Sequence, residues 1–303
     1  LSLYLDRYPK SPAAPEALFL MALVPFRRGE FDISRGRLFE FIDRHPNSPW
    51  LVEAFLRVGD TYYNEKKYSL ANRTYRLMIN RFKENPRTRE AAYGLILTRL
   101  QLREYERFLK DARSYIEKYP GDDLAITLNY QIGELHFTQN RLDEALRAYR
   151  EVERRHAGSD LAAHALLRIA SIYRRRNKVD AAITAYELLL RRHPDSPLSA
   201  NALFGAGETL ARVGRCAEAR VRLENYIEEY PSLGYAPLAR FEAGRCAVKL
   251  GDGDAAIGHL GAVAFEDNGG LGTLRGDAAL LLAALHFRRK EKMQAERALG
   301  VAA

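Results

Sequence analysis

The chain has 303 residues, 47% hydrophobic and 28% charged, with 47 basic against 39 acidic side chains and a formal charge of +8. That composition can bury a substantial core and excludes wholesale disorder and collagen-like structure. No apolar run approaches the ~18 residues of a membrane span, two cysteines exclude a disulfide-dense scaffold or a four-cysteine zinc site, and the positive charge is too dispersed to favour nucleic acid as a partner.

The chain opens in mid-pattern at Leu1-Ser2-Leu3-Tyr4-Leu5, without an initiator Met. This reads as the trailing helix of a truncated repeat over 1–8, in a processed or excised product that continues upstream in its native form. A rhythm then begins. Tyr8-Pro9 recurs as His45-Pro46, Tyr119-Pro120, His193-Pro194 and Tyr230-Pro231, the prolines 37 residues apart or twice that. The skipped slots hold Phe82-Lys83 and His156-Ala157, so the ring survives where the proline does not. Three copies continue as Pro-x-Ser-Pro, from Pro9, Pro46 and Pro194.

Each unit reads as two helices. Between Pro197 and Pro231 the first is expected over 198–213 and the second over 216–230, with Gly214 at the break. The Pro-x-Ser-Pro segment is expected to end one pair and start the next, with Ser as N-cap and Pro in the first turn. Small residues recur where helices must approach: Ala71, Ala145, Ala182, Ala219 and Ala256 in the second helix, Gly59, Gly133, Gly207 and Gly244 in the first. Large residues form two ladders on the second helix, four residues apart: Leu38, Tyr75, Tyr149, Tyr186, Leu223 and Leu260, then Ile42, Ile79, Ile116, Leu190 and Ile227. Seven helix pairs fill 9–267. A terminal pair follows over 268–303, its linker at 268–272 flexible and its tail at 300–303 frayed.

Gly207, Gly214, Ala219, Leu223 and Pro231 fall at the spacing of the tetratricopeptide repeat, which the chain resembles over nearly its whole length. The period is three residues longer than the usual 34, and the Pro-x-Ser-Pro linker takes up the excess. In that lengthened form the chain resembles the repeats of bacterial envelope proteins, the Tol–Pal coordinator and the lipoprotein of the outer-membrane barrel-assembly machine. The third unit departs from the pattern, with Ile96, Arg103 and Phe108 at the Gly, Gly and Ala slots, and no lipid-attachment Cys lies at the amino end. The resemblance implies a periplasmic location, with the cytoplasm as the alternative. A single pair cannot bury its apolar face, so neighbours stack. The expected fold is all-α: one right-handed α-solenoid of helix hairpins, treated as a single array over 1–303.

Cys216 opens a second helix and Cys246 lies near the end of the next first helix, almost equidistant from the turn near Pro231. The two are expected to meet across the hairpin, as two packed thiols or as a disulfide. A bridge would close a loop of about 30 residues and add roughly 3–4 kcal/mol. An oxidising periplasm permits one.

Nothing else assembles into a reactive centre. His45, His156 and His193 replace the Tyr of the Tyr-Pro slot, where packing at a helix end explains them. Gly251-Asp252-Gly253-Asp254 lacks the Lys-Ser/Thr of a phosphate loop and the spaced carboxylates of a calcium loop. No Ser, His and Asp share neighbouring slots. An enzyme, a metal site and a cofactor are therefore not expected.

What the resemblance does imply is a concave face lined by first helices, with a protein or peptide partner laid along it. Carried over slot by slot, the partner-binding residues are Phe19, Tyr63, Tyr93, Tyr130, Phe137, Phe204 and Phe241, with Arg174, Arg175, Arg212 and Arg245 and the acidic neighbours Glu53, Asp60 and Glu134. Aromatic and Arg side chains dominate binding hot spots. The expected function is a non-catalytic protein–protein interaction scaffold of a bacterial cell envelope. The alternative is a module for polyanions, polysaccharide or lipid headgroups, in an export or secretion machine.

Overall fold

The computed structural model describes residues 1–8, 10–265 and 272–302. Pro9, 266–271 and 303 lie outside them. With them goes most of the linker expected at 268–272. The described residues form seventeen helices and no strand. A lone helix α1 (Ser2–Arg7) precedes eight hairpins. Their first helices are α2 (Ala14–Arg27), α4 (Leu51–Asn64), α6 (Thr88–Gln101), α8 (Asp123–Thr138), α10 (Asp160–Arg175), α12 (Ser199–Arg212), α14 (Ala236–Leu250) and α16 (Gly272–Arg288). Their second helices are α3 (Phe31–Arg44), α5 (Tyr68–Arg81), α7 (Tyr105–Lys118), α9 (Leu142–Arg155), α11 (Val179–Arg192), α13 (Cys216–Glu229), α15 (Gly253–Phe265) and α17 (Lys292–Ala302). This is the all-α, solenoid class of stacked hairpins that the period predicts. The tail expected to fray is helical as far as Ala302.

Every hairpin turns in the same way. One residue takes a left-handed conformation: Gly29, Lys66, Arg103, Asn140, Asn177, Gly214, Gly251 and Lys290. The next backbone N–H then reaches back five residues, as in Lys67 N to Tyr62 O at 2.9 Å and Arg215 N to Leu210 O at 3.0 Å. That bond satisfies a carbonyl the helix end would otherwise leave orphaned. Glycine takes this conformation without a Cβ penalty. Gly214 does so at φ 81°, which is why the helix breaks where its sequence signals.

Helix starts differ from expectation. Ser11, Ser48 and Ser196 do not cap helices. Each accepts a backbone N–H two residues on, from Ala13, Trp50 and Leu198, all at 3.2 Å, and so closes a turn before the helix begins. Pro12, Pro49 and Pro197 lie in that turn rather than in the helix. The Ser that does cap is Ser159, whose Oγ accepts from Ala162 N at the start of α10.

The chain divides into two compact units, Leu1–Ile132 and Gly133–Ala303. In the first, Phe19, Leu38, Phe41, Ala54 and Val58 make one core cluster, and Leu56, Ala71, Tyr75, Met78 and Ala91 the next. In the second, Leu260, Val263, Ala279 and Leu282 close the last hairpins. The ladder from Leu38 to Leu260 is buried throughout. The Ile42 ladder is only half-buried. The residues one place earlier are buried instead: Phe41, Met78, Tyr115, Val152, Leu189 and Tyr226. The buried partner of each ladder residue is thus three residues on rather than four, both spacings being available on one helical face.

Glycines mark where helices press on those ladders. A Cβ on Gly133 would lie 2.6 Å from the Tyr149 ring, and one on Gly207 2.7 Å from Leu223. The departures of the third unit are absorbed: Ile96 and Phe108 are buried, and Gly94, two residues before Ile96, presses on Tyr75 from the following hairpin.

Candidate functional site

Successive first helices touch one another, α4 with α6 in the first unit and α12 with α14, then α14 with α16, in the second. They therefore form the inner side of each stack, and that side carries the candidate residues.

In the first unit a cavity of about 220 Å³ opens between α4, α6 and the start of α8. Leu56, Tyr63, Tyr93, Leu97 and Leu124 supply its apolar wall, and Arg57, Asp60 and Glu90 its polar edge. It has the size of a large side chain rather than of a drug-sized ligand. The polar edge is built into the fold. Arg57 donates to Glu53 Oε1 at 2.8 Å and to Asp60 Oδ2 at 2.9 Å, within one helix at spacings of four and three. Asp60 Oδ1 accepts from the Tyr75 hydroxyl at 2.8 Å. Arg87 forms a second ion pair with the buried Glu53.

Burial raises the Asp60 carboxyl above its ordinary pKa. The Tyr75 hydrogen bond and the Arg57 charge oppose it with less effect. Burial also raises the Tyr63 and Tyr93 phenols, so both rings present neutral hydroxyls, hydrogen-bonded to Gln101 and Thr127 respectively. Tyr130 is half-buried on α8.

In the second unit Glu134 is a hub. It accepts from the Tyr149 hydroxyl at 2.5 Å and, in a bidentate pair, from Arg168 at 2.7 and 2.8 Å. The same fifteen-residue step joins Tyr75 to Asp60, so the device is repeated. The Arg168 and Arg175 guanidinium carbons each lie 5.1 Å from the centre of the Phe137 ring, within cation–π range. Arg174 is ion-paired with Glu208, and Arg245 with Glu242 at 2.9 Å. Arg212 Nη2 donates to the Arg174 carbonyl at 3.4 Å.

The structure separates the predicted binding residues into two groups. Tyr63 and Tyr93 share the first-unit cavity, and Phe137 and Arg175 meet in the second unit. Phe19, Phe204 and Phe241 lie in the core rather than on an open face, at 1%, 6% and 8% exposed. Phe19 stacks on Trp50 at 5.3 Å and Phe204 on Tyr235 at 4.7 Å, so a ring from the linker covers each. Phe241 is sealed by Leu260 and its neighbours in the last core cluster. Sequence reasoning missed Arg57, Leu97, Leu124 and Arg168. The Glu53-Arg57-Asp60 spacing was a readable signal for the first of these.

Of the two alternatives for the cysteine pair, the structure shows the packed thiols. Cys216 and Cys246 are buried free thiols, although they do meet across the hairpin and are hydrogen-bonded to each other. Burial first, then that neighbour, pushes the Cys246 thiol up to about 12. His45, His156 and His193 are the C-cap residues of α3, α9 and α11, as the packing reading expects. Asp252 Oδ1 accepts from Ala255 N at 3.1 Å, so the Gly-Asp-Gly-Asp run is a helix start. Among the described residues no three His, Cys, Asp or Glu side chains are grouped to hold a metal ion, and no helix is long and apolar enough to cross a membrane.

The hairpins and the small-residue slots define a class, the tetratricopeptide-like α-solenoid. The family model of the tetratricopeptide repeat matches residues 130–197, 167–232 and 204–270. Among the solved structures similar to the chain are two that cover most of it. One is the C-terminal part of a TPR repeat-containing protein from Cytophaga hutchinsonii, 12% identical, covering 94% of this chain and 93% of that one, with a TM-score of 0.54. The other is a tetratricopeptide repeat protein from Parabacteroides merdae, 14% identical, covering 87% and 98%, with a TM-score of 0.50. No curated protein matches the chain. At these identities the likeness establishes the fold alone. Neither structure is of the Tol–Pal coordinator or the barrel-assembly lipoprotein.

Proposed function

We propose that the chain is a non-catalytic protein–protein interaction scaffold that holds a peptide segment or partner domain against its first helices. The observation that carries this reading is the first-unit cavity. Its half-buried Tyr63, Tyr93, Leu97 and Leu124 lie on the inner side over the buried Leu56, with charged groups at the edge. An apolar pocket with a few fixed polar groups suits an anchoring side chain. The polar groups there are held by one another: Asp60, Tyr75, Arg57 and Glu53 form one hydrogen-bonded chain. That leaves no activated nucleophile, and the reading is of recognition rather than catalysis.

The test is selection of a random dodecapeptide display library on the whole chain, followed by binding of the enriched peptides to Tyr93→Ala and Leu97→Asp. Enriched peptides should lose at least about tenfold in affinity to either variant, as expected of hot-spot residues. An absence of enrichment, or binding that neither variant alters, would overturn the reading. We also place the scaffold in a bacterial cell envelope, on the periplasmic side. The support is the lengthened period and the Pro-x-Ser-Pro linker. Fractionation of the native producer should find the protein outside the cytoplasm, and recovery in the cytosol would refute that placement.

A further inference from the structure

The second unit holds a filled counterpart of the first-unit cavity. Positions are matched by counting back from the left-handed residue that follows each first helix. Six residues before it, Asp60 on α4 corresponds to Glu134 on α8; three before it, Tyr63 corresponds to Phe137. On the second helices Tyr75 corresponds to Tyr149, and each donates its hydroxyl to the matched carboxylate. Nine residues before the turn, on the following first helix, stand Gly94 on α6 and Arg168 on α10.

That last pair sets the two places apart. Arg168 donates twice to the Glu134 carboxylate, at 2.7 and 2.8 Å, and its guanidinium carbon lies 5.1 Å from the centre of the Phe137 ring. Gly94 has no side chain to send across, and the cavity of about 220 Å³ opens there, with Gly94, Asp60, Tyr63 and Tyr75 in its wall. Charge points the same way. The wall holds two carboxylates, Asp60 and Glu90, against one guanidinium, Arg57. Arg57 comes from the same helix as Asp60 and is shared with Glu53. It binds Asp60 Oδ2, as Tyr75 binds Oδ1, and each carboxylate oxygen keeps a second lone pair. Burial holds the Asp60 carboxyl above its ordinary pKa despite Arg57, so a further cation would relieve it.

We infer that the first-unit cavity is the receptor for an arginine side chain of the bound segment, which takes the place that Arg168 fills in the second unit. Its methylenes lie along Leu97 and Leu124, and its planar fork meets Asp60 and Glu90 beside the Tyr63 and Tyr93 rings. A guanidinium suits the site better than an ammonium, because it pairs with a carboxylate through two parallel bonds and stacks on aromatic rings. The inference rests on the scaffold reading above and assigns the chemistry of the anchor.

The experiment starts from the dodecapeptide library selected on the whole chain, whose enriched members should share an Arg at one position. The leading peptide is synthesised with a fluorescein label, with that Arg kept or replaced by citrulline, which has nearly the same shape without the charge, or by lysine. Anisotropy should show binding at least about tenfold weaker with citrulline and about threefold weaker with lysine. Glu90→Gln should weaken the Arg peptide at least about threefold and leave the citrulline peptide unchanged. Tyr93→Leu, which keeps the wall apolar but removes the ring, should weaken the Arg peptide by about as much. The control Glu242→Gln, an acid of the second unit, should change neither peptide.

Enriched peptides without a shared Arg would overturn the inference, and the scaffold stands if Tyr93→Ala still releases them. A citrulline peptide that binds as tightly as the Arg peptide would also overturn it. So would an Arg peptide that Glu90→Gln and Tyr93→Leu both leave unaltered, since its arginine then sits elsewhere. A library that yields no enriched peptide removes the scaffold reading and this inference together.

Discussion

Replacing Gly59 with alanine places a methyl carbon 2.4 Å from Tyr75 Cε1 and 2.7 Å from Cδ1. The ring cannot swing away, because on its other side the Cβ position of Gly94 lies 2.6 Å from Tyr75 Cζ. Its hydroxyl is also tied to Asp60. Two effects of opposite sign compete. Alanine gains up to about 1 kcal/mol over glycine in a helix interior, and overpacking a filled site costs typically about 1–3 kcal/mol. With the ring held from both faces the second effect should win, giving a net loss of about 1–2 kcal/mol.

Gly36, mid-helix in α3 with open space at its Cβ position, is the control. There only the helix term operates, and alanine should stabilise by up to about 1 kcal/mol. The decisive comparison is in a Tyr75→Ala background. That change costs about 3–5 kcal/mol by itself, but it empties the site, so Gly59→Ala should turn from destabilising to stabilising. The assay is denaturant unfolding followed by far-UV circular dichroism, with hydrogen exchange over α4–α6 to localise the change, since repeat arrays need not unfold in one step. If Gly59→Ala costs the same with and without the Tyr75 ring, the clash is not its cause and the reasoning fails.

Two other measurements bear on the sites. The Asp60 carboxyl has a folded pKa above its unfolded one, so the folded state holds the proton more tightly; stability is greatest below the unfolded pKa and declines as pH rises from about 4 through the folded value. Asp60→Asn should flatten that decline, its amide oxygen still accepting from Arg57 while its N–H now donates to the Tyr75 hydroxyl, and an unchanged pH profile of the unfolding midpoint would refute the assignment. Cys216 and Cys246, buried and with the Cys246 thiol pushed up to about 12, should react with an aromatic disulfide reagent at pH 8 at least about 100-fold more slowly in the native chain than in guanidinium; rapid native titration of two thiols would show that this hairpin opens freely.

The architecture was legible because it is written many times. The register of 37 is set by local requirements: a left-handed residue between paired helices, a small residue at each crossing, a ring at each second-helix end. Each is visible in one dimension. The capping role expected of Ser11, Ser48 and Ser196 was not legible, because a Ser hydroxyl serves a helix start and an isolated turn equally well. The choice depends on where the following helix begins. That the second large ladder is Phe41, Met78 and Tyr226 rather than Ile42, Ile79 and Ile227 was equally hidden, both registers lying on one face.

The binding face shows the same limit more sharply. Phe19, Tyr93, Tyr130, Phe204 and Phe241 occupy one slot of the repeat, and a slot fixes only the direction in which a side chain leaves its helix. Whether the ring meets solvent depends on what covers it. Trp50 covers Phe19 and Tyr235 covers Phe204, each from the linker of the next hairpin. At the matching positions, 31 residues on, Tyr93 and Tyr130 are followed by Leu124 and Leu161, which carry no ring to stack. The aromatic or aliphatic character of that one residue thus separates a ring covered by another ring from one that is not. Its signal sits 31 residues away in sequence, in a neighbouring repeat rather than in the helix that carries the ring.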